Sequence, residues 1–225
     1  MFDRYAIFYT PHEAAFAAFG AAWLGWDSAK GALVPHPAVA GVDMDLLTAT
    51  PRKYGFHATL KAPFRLADNF TEAQLRAAVA DFAANHAAIP LGPFKLVTDH
   101  GFLALRPTGD QAVLQNGVAE IVTGFDHFRA PLTQSDIARR RQAGLTARQD
   151  AQMLAWGYPF IFEDFHFHMT LSGSLDQATL DAARPHLAAL IAPVLPAVPV
   201  LDAITLMGQD TAGKFHQLHR AELTG

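Results

Sequence analysis

Two stretches of this chain set an imidazole and a hydroxyl at the same spacing: YGFHATLK, residues 54–61, and FHFHMTLS, residues 165–172. In a strand successive side chains take opposite faces, so His57 and Thr59 share one face while Phe56, Ala58 and Leu60 take the other. In the second stretch His166, His168 and Thr170 fall together opposite Phe167, Met169 and Leu171, the alternation of a half-buried strand. Two histidines and two threonines on non-core surfaces suit phosphoester transfer. One imidazole can take a proton from water or a hydroxyl while the other gives one to the departing oxygen. The threonine hydroxyls can donate to the non-bridging phosphate oxygens, where negative charge is held in the transition state. One match of this pattern means little, because chance supplies it. Two matches at equivalent places mean more, although the same four groups also suit a phosphate-binding module without turnover, or plain half-exposed strand histidines.

The elements that must position these groups recur in order. RYAIFYT reads as a strand, and Thr10, Pro11 and Glu13 predict a helix over residues 11–25. After a Gly- and Pro-rich loop, strand character resumes to about residue 66. Residues 71–86 form a helix capped at Thr71, and FKLVTD and FLALRP form a hairpin about His100-Gly101. Residues 110–128 read as a helix and residues 133–156 as a polar helical insertion with Thr133 and Thr146 as N-caps. FIFEDFHFHMTLSG then reads as a strand, followed by a helix that Pro185 bends or interrupts and a second hairpin. In both halves a His-x-Thr-Leu strand is followed by one helix and a hairpin, an internal repeat of about a hundred residues that is consistent with a duplicated lobe. A pseudo-twofold axis between the lobes makes the two histidine faces meet across a cleft.

Composition bounds the rest. The 225 residues are 51% hydrophobic and 17% charged, a globular composition long enough to bury a sizeable core. We read residues 1–225 as a single bilobal domain. A net charge of -4 disfavours long nucleic acid as a partner while leaving room for a local basic pocket and a small phosphorylated substrate. The absence of cysteine excludes disulfides, a thiolate nucleophile and Cys-based metal sites, and fits a reducing, cytoplasmic setting. AAFAAFGAAWLGW is too short to span a membrane and has no basic leader, so no membrane association is expected.

The paired His-x-Thr-Leu elements, His57 to Leu60 and His168 to Leu171, resemble the signature of the 2H (two-histidine) phosphoesterase superfamily. RYAIFYTP, AAWLGWD, YGFHATLKAPFRL, FRAPLT, ARRRQAGLTARQ, WGYPF and FHFHMTLSG are similar, in order, to the branch encoded with phosphonate-degradation operons, over essentially the whole chain. The resemblance implies an α+β bilobal fold with two antiparallel sheets flanking a central cleft and helices outside. It implies a phosphoesterase that uses neither metal nor other cofactor, of cyclic phosphodiesterase type. By the motif match His57 and His168 are then the catalytic acid and base, and Thr59 and Thr170 the phosphate-binding hydroxyls.

Other residues carry competing readings. His57, His166 and His168 together could ligate a divalent ion, which would leave the threonines idle. Lys61, two beyond Thr59, either adds positive charge to the site or is a solvated strand-end lysine. Tyr54 and Tyr158 either stack on a base or sugar or finish the core edge. Arg139, Arg140, Arg141 and Arg148 form either a solvated helical face or a lid whose arginines, Arg140 among them, clamp a second phosphate or a carboxylate. His12, His36, His86, His100, His127, His186, His216 and His219 lack a threonine partner and read as surface or local structural residues.

Overall fold

Along RYAIFY the side chains bury on both faces of one strand. This is β1 (Arg4–Tyr9), with Tyr5, Ile7 and Tyr9 in the main core, and Ala6 and Phe8 in a smaller cluster with Met207 and Phe215. The computed structural model describes residues 2–225. After β1 come α1 (Ala14–Leu24), the short pair β2 (Trp26–Asp27) and β3 (Ala32–Leu33), α2 (Met44–Thr48) and β4 (Ala58–Phe64). There follow α3 (Glu72–Ala84), β5 (Ile89–Pro90), the hairpin β6 (Phe94–Asp99) and β7 (Phe102–Pro107), and α4 (Ala112–Gly124). Helices α5 (Gln134–Arg141) and α6 (Ala147–Trp156) precede β8 (Met169–Thr170). The order closes with α7 (Gln177–Ile191), β9 (Val200–Leu201) and the hairpin β10 (Ala203–Gln209) and β11 (Phe215–Glu222).

Thr71, Thr133 and Thr146 each cap a helix through a reciprocal capping box, an arrangement in which the cap alone contributes about 1 kcal/mol. Thr10 does not cap α1. Its buried hydroxyl meets that of Thr205 at 2.8 Å, and the helix starts only at Ala14. Nor does Pro185 interrupt α7, which continues through it to Ile191.

Seven strands form one antiparallel sheet in the order β11-β10-β1-β4-β8-β7-β6. This corrects the expectation of two sheets flanking a cleft. β4 and β8 pair directly, Ala58 opposite Met169, which satisfies backbone groups that two facing edges would leave open. The strand-helix-hairpin order recurs, but the hairpins are exchanged: β6–β7, which follows β4, reaches β8, whereas β10–β11, which follows β8, joins β1 and through it β4. The second histidine stretch is also less regular than expected. A 3-10 turn at Phe162–Asp164 leads into a β8 of only two residues. Helix α3 packs on β10 and β11, and α4 on β4. Buried Trp23 of α1 donates its indole N–H to the Leu171 carbonyl at 2.7 Å, tying the first helix to the second histidine stretch. Among the described residues no helix is long and apolar enough to cross a membrane.

Candidate active site

His57 and His168 occupy the same local position, each one residue before its strand. The Nδ1 of His57 lies 2.9 Å from the carbonyl of Gly55, and that of His168 lies 2.7 Å from the carbonyl of His166. A carbonyl only accepts, so in both rings the proton sits on Nδ1 and the Nε2 lone pair is left facing outward in the neutral form. Gly55 supplies its carbonyl from a left-handed conformation (φ 76°) that glycine adopts without strain. His57 Nε2 is 3.2 Å from the Thr59 hydroxyl, and the ring stacks on Phe8 with centroids 3.9 Å apart.

The β4–β8 register brings the two motifs together. Ala58 pairs antiparallel with Met169, so the two motifs run side by side in opposite directions, and an ideal ladder extended one residue either way would set His57 toward Thr170 and Thr59 toward His168. Turning the pair about its centre exchanges His57 with His168 and Thr59 with Thr170. Ala58, Leu60, Met169 and Leu171 are buried, while the four polar residues are half-buried.

Electrostatics couples the two rings. Burial pushes the His57 imidazole down to about 4, the Gly55 carbonyl opposes this, and a charge on His168 lowers it further. His168 is likewise lowered, first by burial, with the His166 carbonyl acting against it and Arg106 adding to it. Both rings are therefore predominantly neutral at pH 7 in the free protein.

His57, Thr59, Thr170, Tyr54, Tyr158 and Arg140 line a cleft of about 520 Å³. Tyr54 stacks beside His57 at 5.7 Å, and the Arg140 guanidinium lies 5.1 Å above the Tyr158 ring. Burial pushes the Tyr158 phenol up, so its hydroxyl keeps its proton. His168 is not among the residues that line the cleft and packs instead near Phe102, centroids 5.9 Å apart.

Lys61 is buried rather than solvated, against one of its two readings; it does not line the cleft beside His57 but lines the adjoining pocket with Arg4, Arg140 and Tyr158. Thr59 pairs with Phe8 and Lys61 with Ile7, so β4 carries an extra residue there. This bulge breaks the two-residue alternation and turns Lys61 toward α4. Its ammonium donates to the Val122 carbonyl at 2.8 Å and to Asp126 at 3.1 Å. Burial pushes Lys61 down against the Asp126 charge. Burial likewise pushes Asp126 up, but hydrogen bonds from Arg129 and the charge of Lys61 outweigh it and hold the carboxyl below its usual range.

His166 is exposed and lines a separate pocket with Arg106 and Gln111, away from His57. Among the described residues no group of three or more His, Cys, Asp or Glu is placed to hold a metal ion. The arginine run divides. Arg141 pairs with Asp150 and Arg148 with Asp164, whereas Arg139 and Arg65 both pair with buried Asp136. The Thr133 hydrogen bonds foremost, then these arginines, hold the Asp136 carboxyl far below its usual range, with burial opposing them.

Arg4 lines the same cleft and was not singled out from the sequence. The signal was available in the alternation of β1, since Arg4, Ala6 and Phe8 share a face and Phe8 packs on His57.

The chain is similar to two proteins named "Ribose 1,5-bisphosphate phosphokinase PhnN". That of Janthinobacterium sp. (strain Marseille) is 40% identical over 222 residues, 93% of this chain and 48% of that one. That of Laribacter hongkongensis (strain HLHK9) is 34% identical over 181 residues, 79% of this chain and 42% of that one. The chain thus spans about half the length of the curated relatives it matches. A solved structure described as "Crystal structure of phosphoesterase" is similar over 99% of both chains at 14% identity with a TM-score of 0.43, too distant to carry an argument about chemistry. A family model covers residues 59–216, a span that includes Thr59, His168 and Thr170, and by that match the chain belongs to the family described as "Protein of unknown function (DUF1045)".

Proposed function

We propose that this protein is a metal-independent phosphoesterase that opens a cyclic phosphodiester on a small sugar or nucleotide. The observation that carries the reading is the matched pair of imidazoles, each held through Nδ1 by a carbonyl two residues upstream, on two stretches that the Ala58–Met169 pair sets side by side. His57, whose pKa falls to about 4, is the ring best kept neutral and acts as the base. Its Nε2 takes a proton from water as the water oxygen bonds to phosphorus. His168, once protonated, gives its Nε2 proton to the ring oxygen that leaves, while Thr59 and Thr170 donate to the non-bridging oxygens.

The names of the relatives point to phosphorylated sugars, and the resemblance to phosphonate-operon proteins makes a sugar cyclic phosphate from phosphonate breakdown a fitting substrate. A kinase reading of this half fits poorly. The stretch GQDTAGK, residues 208–214, has the glycine and lysine spacing of a nucleotide phosphate loop, but Phe215 stands where that loop has Ser or Thr. It also forms the β10–β11 turn rather than a strand-to-helix loop, with Lys214 Nζ 4.2 Å above Trp26.

The test is turnover of a panel of sugar and nucleoside cyclic phosphates followed by ³¹P NMR, with EDTA present. Product is expected with the wild type, and His57→Ala or His168→Ala should each lower the rate by roughly 10²- to 10⁴-fold with folding retained. Full turnover in either variant overturns the mechanism, and tight binding with no new resonance replaces the enzyme with a binding module.

A further inference from the structure

We propose that the cleft contains a second anion subsite, formed by Arg140, Arg4 and Tyr158, that receives a phosphomonoester carried by the substrate apart from the diester being opened. This rests on the phosphoesterase reading and narrows its substrate to a doubly phosphorylated sugar or nucleotide.

Charge bookkeeping within the cleft motivates the proposal. Four arginines (Arg4, Arg65, Arg139 and Arg140) line it against a single acid, Asp136, although the whole chain carries a net charge of -4. Asp136 is spoken for by Arg65 and Arg139. Arg140 has no acidic partner among the described residues, and its buried Nε has no hydrogen-bond acceptor. Arg4 gives its Nε to a neutral acceptor, the Gln209 amide, at 2.6 Å. Two uncompensated guanidinium groups, one from β1 and one from α5, thus converge on one cavity. They feel each other: burial and then the charges of Arg139 and Arg4 depress Arg140, with Tyr158 and Asp136 opposing. Like charges gathered beside an unfilled donor are what a dianion relieves, and the planar guanidinium fork matches phosphate oxygens two at a time. The protonated Tyr158 hydroxyl adds a further donor.

This anion is distinct from the reacting phosphate. Thr59 pairs with Phe8, and Arg4 lies four residues further along β1, about 13 Å at strand rise. Even with the reach of an arginine side chain, that separation spans a pentose rather than a single phosphate. Tyr54, stacked beside His57, lines the same cleft.

The experiment compares uridine 2′,3′-cyclic phosphate with the same compound bearing a 5′-phosphate. The wild type should favour the doubly phosphorylated compound in kcat/KM by roughly 10- to 100-fold. Arg140→Met should bring that ratio close to one, and Arg140→Lys should restore part of it, because a point charge remains without the fork. Equal kcat/KM for the two compounds in the wild type, or an unchanged ratio in Arg140→Met, overturns the subsite. Should Arg140→Met fail to fold by circular dichroism, Arg4→Met is held to the same ratio. If neither these compounds nor any member of the cyclic phosphate panel turns over, the phosphoesterase reading fails, and calorimetric titration of the same two compounds decides the subsite by itself. Tighter binding of the 5′-phosphorylated compound that Arg140→Met abolishes upholds it, and equal affinities overturn it.

Discussion

Each imidazole owes its tautomer to a carbonyl two residues upstream, Gly55 for His57 and His166 for His168, so the reactive nitrogen is specified by local backbone rather than by a distant carboxylate. Burial then decides the protonation state. Because the His57 pKa is lowered to about 4, the base is available above that pH. Because His168 lies below the ordinary imidazole value of 6.5, its proton is lost before neutrality in the free protein. kcat/KM should therefore rise through about pH 4, peak on the acid side of neutrality and fall as pH increases beyond the His168 limb. A bound phosphate stabilises both imidazolium forms, so the limbs of kcat should lie higher than those of kcat/KM. Rate measurements from pH 4 to 9 check this, and a kcat/KM still climbing at pH 8 would show that neither imidazolium serves as the acid.

At the scale of elements, the bulge in β4 separates the chemistry from the scaffold. Before it, His57 and Thr59 face the cleft. After it, Lys61 turns to α4 and joins the Asp126–Arg129 cluster. Two residues before that strand, Phe56 lies directly against α1, close enough that a Cβ on Gly20 would stand 1.9 Å from its ring. Gly20→Ala must push Phe56 aside and disturb the backbone that carries His57. The helix-propensity gain of up to about 1 kcal/mol does not offset overpacking of about 1–3 kcal/mol. We expect a melting temperature lower by roughly 2–10 °C together with slower turnover. An unaltered melting temperature would mean that the α1–β4 contact is looser than described.

Across the whole molecule, the exchange of hairpins between the two strand-helix-hairpin units leaves neither unit with a sheet of its own. The hairpin β6–β7 finds its partner in β8, and β10–β11 reaches β4 only through β1. Joined this way, the halves should unfold together. Far-UV circular dichroism and intrinsic tryptophan fluorescence should give coincident urea transitions, whereas two separated midpoints would show halves that fold independently. The same exchange places the four polar residues at the middle of the sheet, where strands on both sides hold their backbone in register.

Some of this was legible in the residues themselves. The two-residue alternation around His57 and Thr59, the capping boxes at Thr71, Thr133 and Thr146, and the recurring strand-helix-hairpin order depend on contacts within a few positions, and side-chain type alone dictates them. Folding decided what depends on partners far away in the chain. The bulge that turns Lys61 toward α4 arises from the fit of β4 against β1. The merging of the expected two sheets into one comes from backbone pairing between Ala58 and Met169, and the role offered to Arg140 follows from its neighbours in the run finding acids while it does not. Periodicity reports which face a side chain takes within one element. Which elements become neighbours, and which charges are left without a counter-charge, is settled only when the chain closes on itself.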